Sequence, residues 1–315
     1  MDKVKTLSVV IPAYNEEETI KGTVLKIIEE VKGIDVKLIV VLVDDGSTDG
    51  SWVEISKLAK DFPGLIVGVK FSRNYGKDCA VLAGIESVST DLYLVIDADG
   101  EHPVEKISEF YSNYQSGDCD VVHGIKKNRR GSRTSKFMSR LFNKTFKYFA
   151  NIDITESSDF KLFNDKFKRA LLNYGDYDFF FRAAAQDVGF QSKKVDFDEK
   201  ERIFGVSSWG NRRLFKYAFD SIVNYSHYPL FFILFLGVIS VLLGGLVGVK
   251  ALVDSLTGSV PEGYLTLLVL DLVSLGMIMT AVGIVGVYLS KIFDEVKGRP
   301  RYLVEQRVEY EVDVV

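Results

Sequence analysis

The sequence predicts an α/β protein with a mostly parallel sheet, followed by two helices long enough to cross a membrane. Near-continuous apolar runs alternate with helical patterns up to about residue 125, and two uncharged stretches occur nearer the C-terminus. Apolar strands separated by helices are typical of a parallel sheet that is covered on both faces. An uncharged run of about 20 residues is long enough to span the hydrocarbon core of a bilayer.

Length and composition allow a sizeable core and exclude several classes of protein. The chain has 315 residues, of which 47% are hydrophobic and 26% charged, which indicates folded domains rather than disorder. A net charge of -4 argues against a nucleic-acid-binding protein. The two cysteines, Cys79 and Cys119, provide neither a disulfide framework nor metal-ligand spacing. We therefore expect a reducing compartment and no zinc site.

Five apolar runs are the predicted strands of the sheet. They comprise residues 7–11, 37–43, 65–69, 92–96 and 120–124. The first run is five residues long and ends before Pro12, which is too short for a signal-peptide core of about 7 to 15 residues. We therefore expect the N-terminal part of the chain to stay in the cytosol.

The two uncharged stretches, residues 229–249 and 272–290, predict a transmembrane hairpin. Lys and Arg flank the hairpin on both sides, whereas its short connection carries Asp254 and Glu262, so both termini are predicted to be cytosolic. A buried hairpin in a soluble protein is the alternative, but two such runs would be hard to bury together. The predicted segments are a cytosolic domain (1–210), a juxtamembrane amphipathic helix (211–228), transmembrane helices (229–253 and 265–290) and a cytosolic tail (291–315).

A basic segment follows the last predicted strand. Residues 126–147 contain nine Lys or Arg and no acidic residue, and apolar residues recur there at steps of three and four. This pattern predicts an amphipathic basic helix, extending over 126–150. Such a helix can bind a phosphorylated ligand or dock on anionic lipid.

Polar side chains follow several predicted strands, at the edge where open parallel sheets bind ligands. Asp44 and Asp45 come directly after the second strand. Their carboxylates suit the N–H groups of a base or the hydroxyls of a ribose, and neither a P-loop nor a GxGxxG motif occurs in the chain. For the next residues, Ser47, Thr48 and Asp49, capping of the following helix is an equally weighted alternative.

Asp97 and Asp99 follow the fourth predicted strand. On an extended chain two such residues point to the same side, where both carboxylates could hold Mg²⁺ or Mn²⁺ bridging two phosphates. The same spacing occurs three more times, at residues 118/120, 176/178 and 196/198. Of the four pairs, only Asp97 and Asp99 directly follow a fully apolar strand. Glu101 is a further candidate ligand, and His102 is interpreted as a neighbour of a helix cap.

The third strand ends in a segment with two cations, Arg73 and Lys77, and the intervening Gly76. These residues suit the pyrophosphate of a nucleotide. The alternative is a helix start with a solvated lysine.

Taken in order, the motifs PAYNEEE, DDGSTDGS, FSRNYGKDCAVLAGI and DADGEHP resemble those of family 2 (GT-A) inverting glycosyltransferases. Three further stretches, SSDFKLF (157–163), ERIFGVSSWG (201–210) and YLSKIFDEVKGRPRYLV (288–304), extend the resemblance over nearly the whole chain. The chain thus resembles polyisoprenyl-phosphate glycosyltransferases, which include dolichol-phosphate mannose synthase. The nearest likeness is to bacterial GtrB-type undecaprenyl-phosphate glucosyltransferases.

The resemblance implies a role for each matching residue. Base and ribose contacts come from Pro12, Tyr14, Glu16 and Asp44, with Asp45 and Lys77 also in the donor site. Diphosphate contacts come from Arg202 and Ser207, and acceptor-phosphate contacts from Arg133, Lys136 and Arg140. The metal ligands are Asp97, Asp99 and Glu101, the last replacing a Gln of many relatives. Asp159 orients the acceptor or its cations; a general base or a turn residue are its alternative roles.

The implied reaction transfers glucose from UDP-glucose to undecaprenyl phosphate with inversion, in the cytoplasmic membrane, by a metal-dependent homotetramer. Mannose from GDP-mannose, N-acetylglucosamine or an aminoarabinose derivative would suit the same residues. A processive polysaccharide synthase would share the N-terminal part but carry a Q-x-x-R-W motif, which the sequence does not contain. A membrane-anchored nucleotide-sugar-binding protein would have the donor pocket without an acceptor segment.

Overall fold

The structure is a computed structural model that describes residues 4–127, 144, 147–148, 157–176, 179–198, 200, 228–257 and 264–311. The chain forms two compact units. The first, which we call the sheet unit, comprises Met1–Asn211 and Pro300–Val315. The second, the helical unit, comprises Arg212–Arg299.

One mixed sheet organises the sheet unit. Its strands are β1 (Lys5–Ala13), β2 (Val36–Asp44), β3 (Ile66–Phe71), β4 (Leu92–Val95), β5 (Val121–Lys126), β6 (Ser157–Asn164), β7 (Ser192–Phe197) and β8 (Val304–Glu309). Their order is β7-β5-β6-β4-β1-β2-β3-β8. Strands β1 to β4 run parallel, β7 runs parallel to β5, and β6 and β8 are antiparallel to their neighbours.

Helices connect the strands. They are α1 (Ile20–Val31), α2 (Ser51–Asp61), α3 (Lys77–Glu86), α4 (Ile107–Gln115), α5 (Asp165–Leu172) and α6 (Phe181–Asp187). A single 3-10 turn, Val104–Lys106, precedes α4.

Side chains on the strands alternate between two apolar layers, one on each face of the sheet. On β1, Leu7, Val9 and Ile11 pack in the layer with α1, α2 and α4, whereas Val10 packs in the layer with α3, α5 and α6. This period of two follows from the pleat of a strand, and it explains why the runs are apolar at most positions rather than at every second one. The predicted α/β fold is confirmed, and the five predicted strands correspond to β1 to β5.

The sheet register brings β4 and β6 together where the site forms. The two strands are antiparallel, and Val95 of β4 pairs with Lys161 of β6. Continued by two residues, this register places Asp97 opposite Asp159. A residue from the first half of the domain therefore meets one about 60 positions later.

Strand β8, at the C-terminal end of the chain, was not predicted from the sequence. It pairs with β3 at the outer edge of the sheet, and Trp52 Nε1 donates a hydrogen bond to Gln306 at 2.8 Å. Gly68 of β3 makes room for it, because a Cβ there would lie 2.6 Å from Val308 Cγ2 and 2.8 Å from Ile55 Cγ2. The ring of Tyr302 stacks on Phe71 with 4.9 Å between centroids.

The helical unit contains two long helices, α7 (Tyr228–Leu256) and α8 (Tyr264–Val296). The stretches Leu230–Lys250 and Leu270–Val296 are long and apolar enough to cross a membrane, with mean hydropathies of 2.8 and 2.2. Large apolar side chains on both helices are exposed. The predicted spans 229–253 and 265–290 lie within these helices, which indicates membrane association.

Candidate active site

The segments that follow β1 and β2 are joined by hydrogen bonds at the carboxyl edge of the sheet. Asn15 N donates to Ser47 Oγ at 2.9 Å, and Thr48 N donates to Asn15 Oδ1 at 2.9 Å. Asn15 adopts a positive φ of 57°, which a short polar side chain tolerates better than most. The two predicted donor-site segments therefore form one continuous surface.

Asp44 provides a buried acceptor at this edge. Its residue is fully buried, and Oδ1 accepts a hydrogen bond from Ser47 N at 3.0 Å. Within the described part of the chain, its Oδ2 has no hydrogen-bond partner. Burial raises the pKa of Asp44, although the bonds from Ser47 oppose this. Because a buried polar atom without a partner is costly, Oδ2 is a candidate acceptor for an N–H or O–H of a ligand.

The other predicted donor residues differ in exposure. Pro12 is buried, whereas the ring of Tyr14 is 39% exposed. Glu16 is half-buried, and its Oε2 accepts a hydrogen bond from Thr19 Oγ1 at 2.5 Å. Because Ala13 pairs with Asp44 across β1 and β2, a ligand lying against Asp44 would meet the exposed Tyr14, the residue that follows β1.

Two neighbouring acids hold the backbone. Asp45 accepts hydrogen bonds from Tyr75 N at 2.7 Å and from Gly76 N at 3.0 Å, which fastens the end of β2 to the loop after β3. Asp49 lies one residue before Gly50, the N-cap of α2, and accepts from Ser51 N at 3.0 Å, so it holds the start of this helix as the capping alternative expects. The donor role predicted for Asp45 remains a prediction.

A glycine allows these two loops to approach. Gly46 has a φ of +68°, and a Cβ there would lie 2.4 Å from the backbone carbon of Arg73. Any other residue would push the loops apart. The DDG sequence thus combines an acid with an unpartnered oxygen among the described residues, an acid that joins two loops, and a glycine that allows a close backbone approach.

The Asp97–Asp99 pair lies partly in a turn. The assumption of an extended chain is wrong beyond Asp97, because residues 98 and 99 form a turn. Asp99 Oδ1 accepts a hydrogen bond from Glu101 N at 3.0 Å. Burial raises the pKa of Asp99 to about 6, and the charges of Asp97 and Glu101 add to the shift. The two carboxylates therefore lie close enough to repel each other even though the chain is not extended.

His102 supports Asp97 from behind. It precedes the 3-10 turn, as expected for a cap neighbour, but its ring is buried and stacks on Phe160 with 5.2 Å between centroids. Nδ1 accepts a hydrogen bond from Asp97 N at 3.1 Å. Burial lowers the pKa of His102 to about 4, so the ring is neutral at pH 7 and can accept this bond.

Four charged side chains form a paired cluster at the ends of β4 and β6. Lys77 Nζ lies 2.5 Å from Asp97 Oδ1 and 2.6 Å from Asp159 Oδ2. Arg182 donates two hydrogen bonds to the same Asp159, from Nε at 2.6 Å and from a terminal nitrogen at 2.7 Å. Such bidentate contacts between arginine and a carboxylate are strong and directional. We call these four residues the charge cluster.

The charge cluster fixes its own ionisation. Burial would raise the pKa of Asp159, but the charges of Arg182 and Lys77 hold it well below the usual range of an aspartate. Burial likewise would raise the pKa of Asp97, and Lys77 lowers it. The pKa of Lys77 is raised, because the two carboxylates outweigh its own burial. All four groups are therefore charged at neutral pH.

Lys161 lies behind the charge cluster on β6. It is fully buried, its Nζ donates to the carbonyl of Ser158, and it lies 5.4 Å from the centroid of the Phe181 ring. Burial lowers the pKa of Lys161 to about 7, although Asp159 opposes this. The interior of the site thus carries a base that is only partly charged near neutrality.

Several predicted site residues lie outside the described residues. They are Arg133, Lys136 and Arg140 of the basic segment and Arg202 and Ser207 of the ERIFGVSSWG stretch. The residue preceding the last stretch is informative: Lys200 N donates to the carbonyl of Glu101 at 3.0 Å. The backbone at Lys200 therefore lies beside the Asp97–Asp99 turn.

Asp97 and Asp99 are the residues that fit a divalent cation. The charge of Asp97 raises the pKa of Asp99, and a positive charge between the two carboxylates would relieve this repulsion. Among the described residues, no group of three or more His, Cys, Asp or Glu side chains is arranged around a common point. A pair is sufficient for Mg²⁺, which usually takes one or two carboxylates and completes its shell with substrate phosphates and water.

The position of Arg182 and the contacts of Lys77 could not be read from the motifs in the sequence. Both solvated and phosphate-binding roles were considered for Lys77; it begins α3 as the alternative assumed, but its ammonium is ion-paired rather than solvated. Arg182 is the single charge in the run FFFRAAA (179–185). A lone cation in an apolar helix implies a buried anionic partner, a signal that could have identified it.

The acidic side chains and the charge cluster lie at the carboxyl edge of the sheet, which is where open α/β sheets bind their ligands. Residues 8–189 match the model of glycosyl transferase family 2, which is more than half of the chain. The chain therefore belongs to glycosyl transferase family 2, as its motifs predicted, and is a glycosyltransferase.

Relatives of known sequence match over nearly the full length. A putative glycosyltransferase, CsbB, of Bacillus subtilis (strain 168) is 32% identical over 304 residues, which cover 95% of this chain and 91% of the relative. The bactoprenol glucosyl transferase of Shigella phage SfX is 29% identical over 311 residues, with coverages of 96% and 99%. The structure of glucosyl-3-phosphoglycerate synthase from Mycobacterium tuberculosis aligns over 70% of this chain and 80% of its own, with 18% identity and a TM-score of 0.48.

Proposed function

We propose that this glycosyltransferase moves glucose from UDP-glucose to undecaprenyl phosphate, with inversion at the anomeric carbon. The observation that carries the proposal is the charge cluster beside the Asp97–Asp99 turn. It combines carboxylates, an ammonium and a guanidinium at the sheet edge where Asp44 offers a buried acceptor. The name of the bactoprenol glucosyl transferase relatives supports a polyisoprenyl acceptor.

The donor base is proposed to bind at Asp44. Its unpartnered Oδ2 can accept the imide N–H of uracil, and the exposed ring of Tyr14 offers a stacking surface. Pro12 and Glu16 complete this subsite in the proposal. The donor diphosphate then lies toward Lys77 and the Asp97–Asp99 turn, with Arg202 and Ser207 as further contacts.

Asp97 and Asp99, with Glu101 as a third candidate, would hold Mg²⁺ or Mn²⁺. When bound, the cation supplies Lewis-acid stabilisation of the leaving diphosphate. His102 keeps the backbone of Asp97 in place through its neutral Nδ1. Lys77 supplies a second positive charge near the leaving group, which preorganised cations stabilise as negative charge develops.

The acceptor needs little activation by a base. A phosphate monoester has a second pKa of about 6 and is largely dianionic near pH 7. Asp159 is held anionic by Arg182 and Lys77, with a pKa well below the usual range, so it is a poor proton acceptor. We therefore propose that Asp159 positions these two cations for the phosphates, which favours the orienting role over the general-base role. Arg133, Lys136 and Arg140 bind the acceptor phosphate from the basic segment.

Membrane placement follows from the two apolar helices. We propose that α7 and α8 span the cytoplasmic membrane, with the sheet unit and both termini in the cytosol. Basic residues flank the hairpin and acidic residues lie in its connection, in agreement with the positive-inside rule. A homotetramer is proposed on the sequence resemblance. Crosslinking in native membranes tests the oligomer, and protease protection in inverted vesicles tests the orientation.

Membranes containing the full chain are incubated with radiolabelled UDP-glucose, undecaprenyl phosphate and Mg²⁺. The expected product is extracted by organic solvent and releases glucose in mild acid, and its sugar has the β configuration by NMR. The matched control is Asp99→Asn, which removes one charge and keeps the acceptor for Glu101 N. Lipid label from GDP-mannose or UDP-N-acetylglucosamine alone would correct the sugar. Donor binding without lipid label from any sugar nucleotide would overturn the proposal in favour of a nucleotide-sugar-binding protein.

A further inference from the structure

Lys77 occupies an ambiguous place in the site. It is the first residue of α3, and its ammonium lies between Asp97 and Asp159, at 2.5 and 2.6 Å. Its side chain is 39% exposed, whereas the side chains of the two carboxylates are 16% and 6% exposed. A flexible cation at the mouth of the site thus neutralises acids that lie deeper.

The same carboxylate serves two cations in this arrangement. Asp97 Oδ1, which contacts the Lys77 ammonium, belongs to the carboxylate that fits a divalent metal ion. A metal ion bound to this carboxylate at about 2.1 Å would lie very close to an ammonium that kept its present position. Two cations at that separation repel strongly in a partly buried site. Lys77 and the metal ion therefore compete for Asp97.

We propose that Lys77 is an exchangeable counter-ion: it neutralises Asp97 before the substrates bind and turns to the donor diphosphate when the metal ion arrives. This inference rests on the proposed function, because it assumes a metal-bound diphosphate donor. Lys77 is thereby assigned two positions, one seen in the structure and one created by the ligand.

Charge balance supports the exchange. The charge cluster now holds two cations and two anions and is neutral as a set. A divalent cation and a donor diphosphate with two negative charges add no net charge, and the ammonium keeps an anionic partner when Lys77 moves from the carboxylates to the diphosphate. Asp159 does not become unpaired, because the two bonds from Arg182 stay in place. Lysine suits this role because its stem is flexible and its charge is not directional.

Mn²⁺ binding to the detergent-solubilised full chain, measured by electron paramagnetic resonance without nucleotide, tests the first position. Lys77→Met is expected to bind Mn²⁺ at least about tenfold more tightly than the wild type, since an opposite charge in contact shifts an equilibrium by about this factor or more. Lys77→Arg should stay near the wild type. The matched control is Lys70→Met. Lys70 lies on β3 and pairs with Glu305 at 2.9 Å, so its removal should change Mn²⁺ binding little.

If Lys77 binds the diphosphate when nucleotide is present, the effect of Lys77→Met on Mn²⁺ affinity should reverse. With saturating UDP, or GDP run in parallel so that the base need not be known, Lys77→Met should bind Mn²⁺ more weakly than the wild type, because the diphosphate loses its ammonium partner. A general electrostatic effect of removing a positive charge would strengthen Mn²⁺ binding in both conditions. Tighter binding in both conditions, or no change without nucleotide, would overturn the proposal.

A second variant protects the test against misfolding. If Lys77→Met leaves too much negative charge to fold, Lys77→Met with Asp159→Asn removes one charge of each sign and is compared with Asp159→Asn alone. The same strengthening without nucleotide is expected, and its absence counts against the exchange. The binding measurement needs no sugar transfer, so a failed transfer assay would contradict the proposed function and leave this result standing.

Discussion

Two lysines of the sheet unit are held by different kinds of partner. Lys168 of α5 is 8% exposed, and its Nζ donates to the carbonyl of Val88 at 2.8 Å and to the hydroxyl of Tyr93 at 2.9 Å. It also lies over the Tyr93 ring, 4.6 Å from the centroid. Lys77 is held by two carboxylates at the opposite, carboxyl edge of the sheet. The first lysine has fixed neutral partners, and the second has ionic ones.

The difference separates a structural cation from a functional one. A carbonyl and a ring cannot be neutralised by an incoming ligand, so Lys168 stays where it is and contributes stability. Carboxylates can exchange an ammonium for a metal ion, so Lys77 can move. The charge of the partners therefore adds to the difference in burial between the two lysines, since Lys168 is 8% exposed and the side chain of Lys77 is 39% exposed.

The largest effect is expected at the carboxyl edge. Asp99→Asn should lower sugar transfer by about 10³-fold, since it removes a proposed metal ligand where charge develops in the transition state. Thermal stability should be no lower than that of the wild type, because the change also relieves the repulsion with Asp97. The assay is lipid labelling with and without chelator. Near-normal turnover in metal-free buffer would remove Asp99 from the metal site.

Lys168→Met tests the structural side of the comparison. The variant removes one buried donor each from Val88 O and Tyr93 Oη, which keep a bond from Tyr93 Oη at 3.3 Å and from Thr90 N at 2.9 Å, respectively. We therefore expect a loss of about 1 to 2 kcal/mol in the free energy of unfolding, with kcat unchanged well below the melting temperature. Lys166→Met on the same helix is the control, because that side chain is 63% exposed and pairs with Asp120 at 3.3 Å; it should change stability by less than about 0.5 kcal/mol. Urea unfolding measures both. Loss of kcat in the Lys168 variant would break the distinction.

Asp44→Asn tests a second residue at the carboxyl edge, because Asp44 Oδ2 has no hydrogen-bond partner among the described residues. The substitution replaces one carboxylate oxygen with an amino group, which would face the N–H of the base with a second hydrogen-bond donor. The KM for the nucleotide sugar should therefore rise about tenfold, while the KM for the lipid stays unchanged. Asp49→Asn is the control, because Asp49 caps α2 and should affect stability rather than KM. Equal increases of both KM values would contradict a base-binding role.

The smallest expected effect is a change in the pH dependence of stability, caused by the buried His123. His123 of β5 is 3% exposed, and its Nδ1 has no hydrogen-bond partner within the described residues. Burial lowers the pKa of His123 to about 3, and the charges of Lys161 and Lys194 add to the shift.

The sign follows from proton binding. Between pH 6.5 and 3 the unfolded chain binds a proton at this position that the folded chain does not, so stability falls as pH decreases through 6.5. Between pH 7 and 5.5, His123→Leu should therefore lose about 1 kcal/mol less stability than the wild type. Urea unfolding at both values gives the difference, and pH 7 to 8 provides the control range, where the two proteins should change alike. Parallel losses at low pH would show that His123 is not neutral by burial.

Much of the fold could be predicted from the sequence. The apolar runs gave β1 to β5, because buried parallel strands require apolar side chains on both faces. The strand β8 could not be predicted in this way, since VEQRVE alternates weakly and forms only because β3 leaves a free edge with a glycine at the contact. Its partner lies more than 230 positions earlier in the chain, and no local pattern contains that information.

The site was predictable where ligand-type residues follow a strand. Asp44, Asp97 and Asp99 were identified in this way, whereas Arg182 was not. A single arginine in an apolar helix indicates a buried anionic partner, but no local pattern says that this partner is Asp159. The extended-chain argument for the acidic pair also failed, since Gly100 at a φ of +75° follows a turn that bends the backbone. Asp97 and Asp99 are nevertheless close to each other, because a turn also keeps residues two positions apart close together.

The amino-acid sequence by itself determined the strands, the apolar helices and the acids at the ends of the strands, because these depend on the periodicity and type of neighbouring residues. Only the tertiary structure decided which charges meet. The antiparallel register of β4 and β6 places Asp97 opposite Asp159, and packing brings Lys77 and Arg182 to the same point. Electrostatic energy depends on distances in space, and distances between residues remote in the chain are set by the fold.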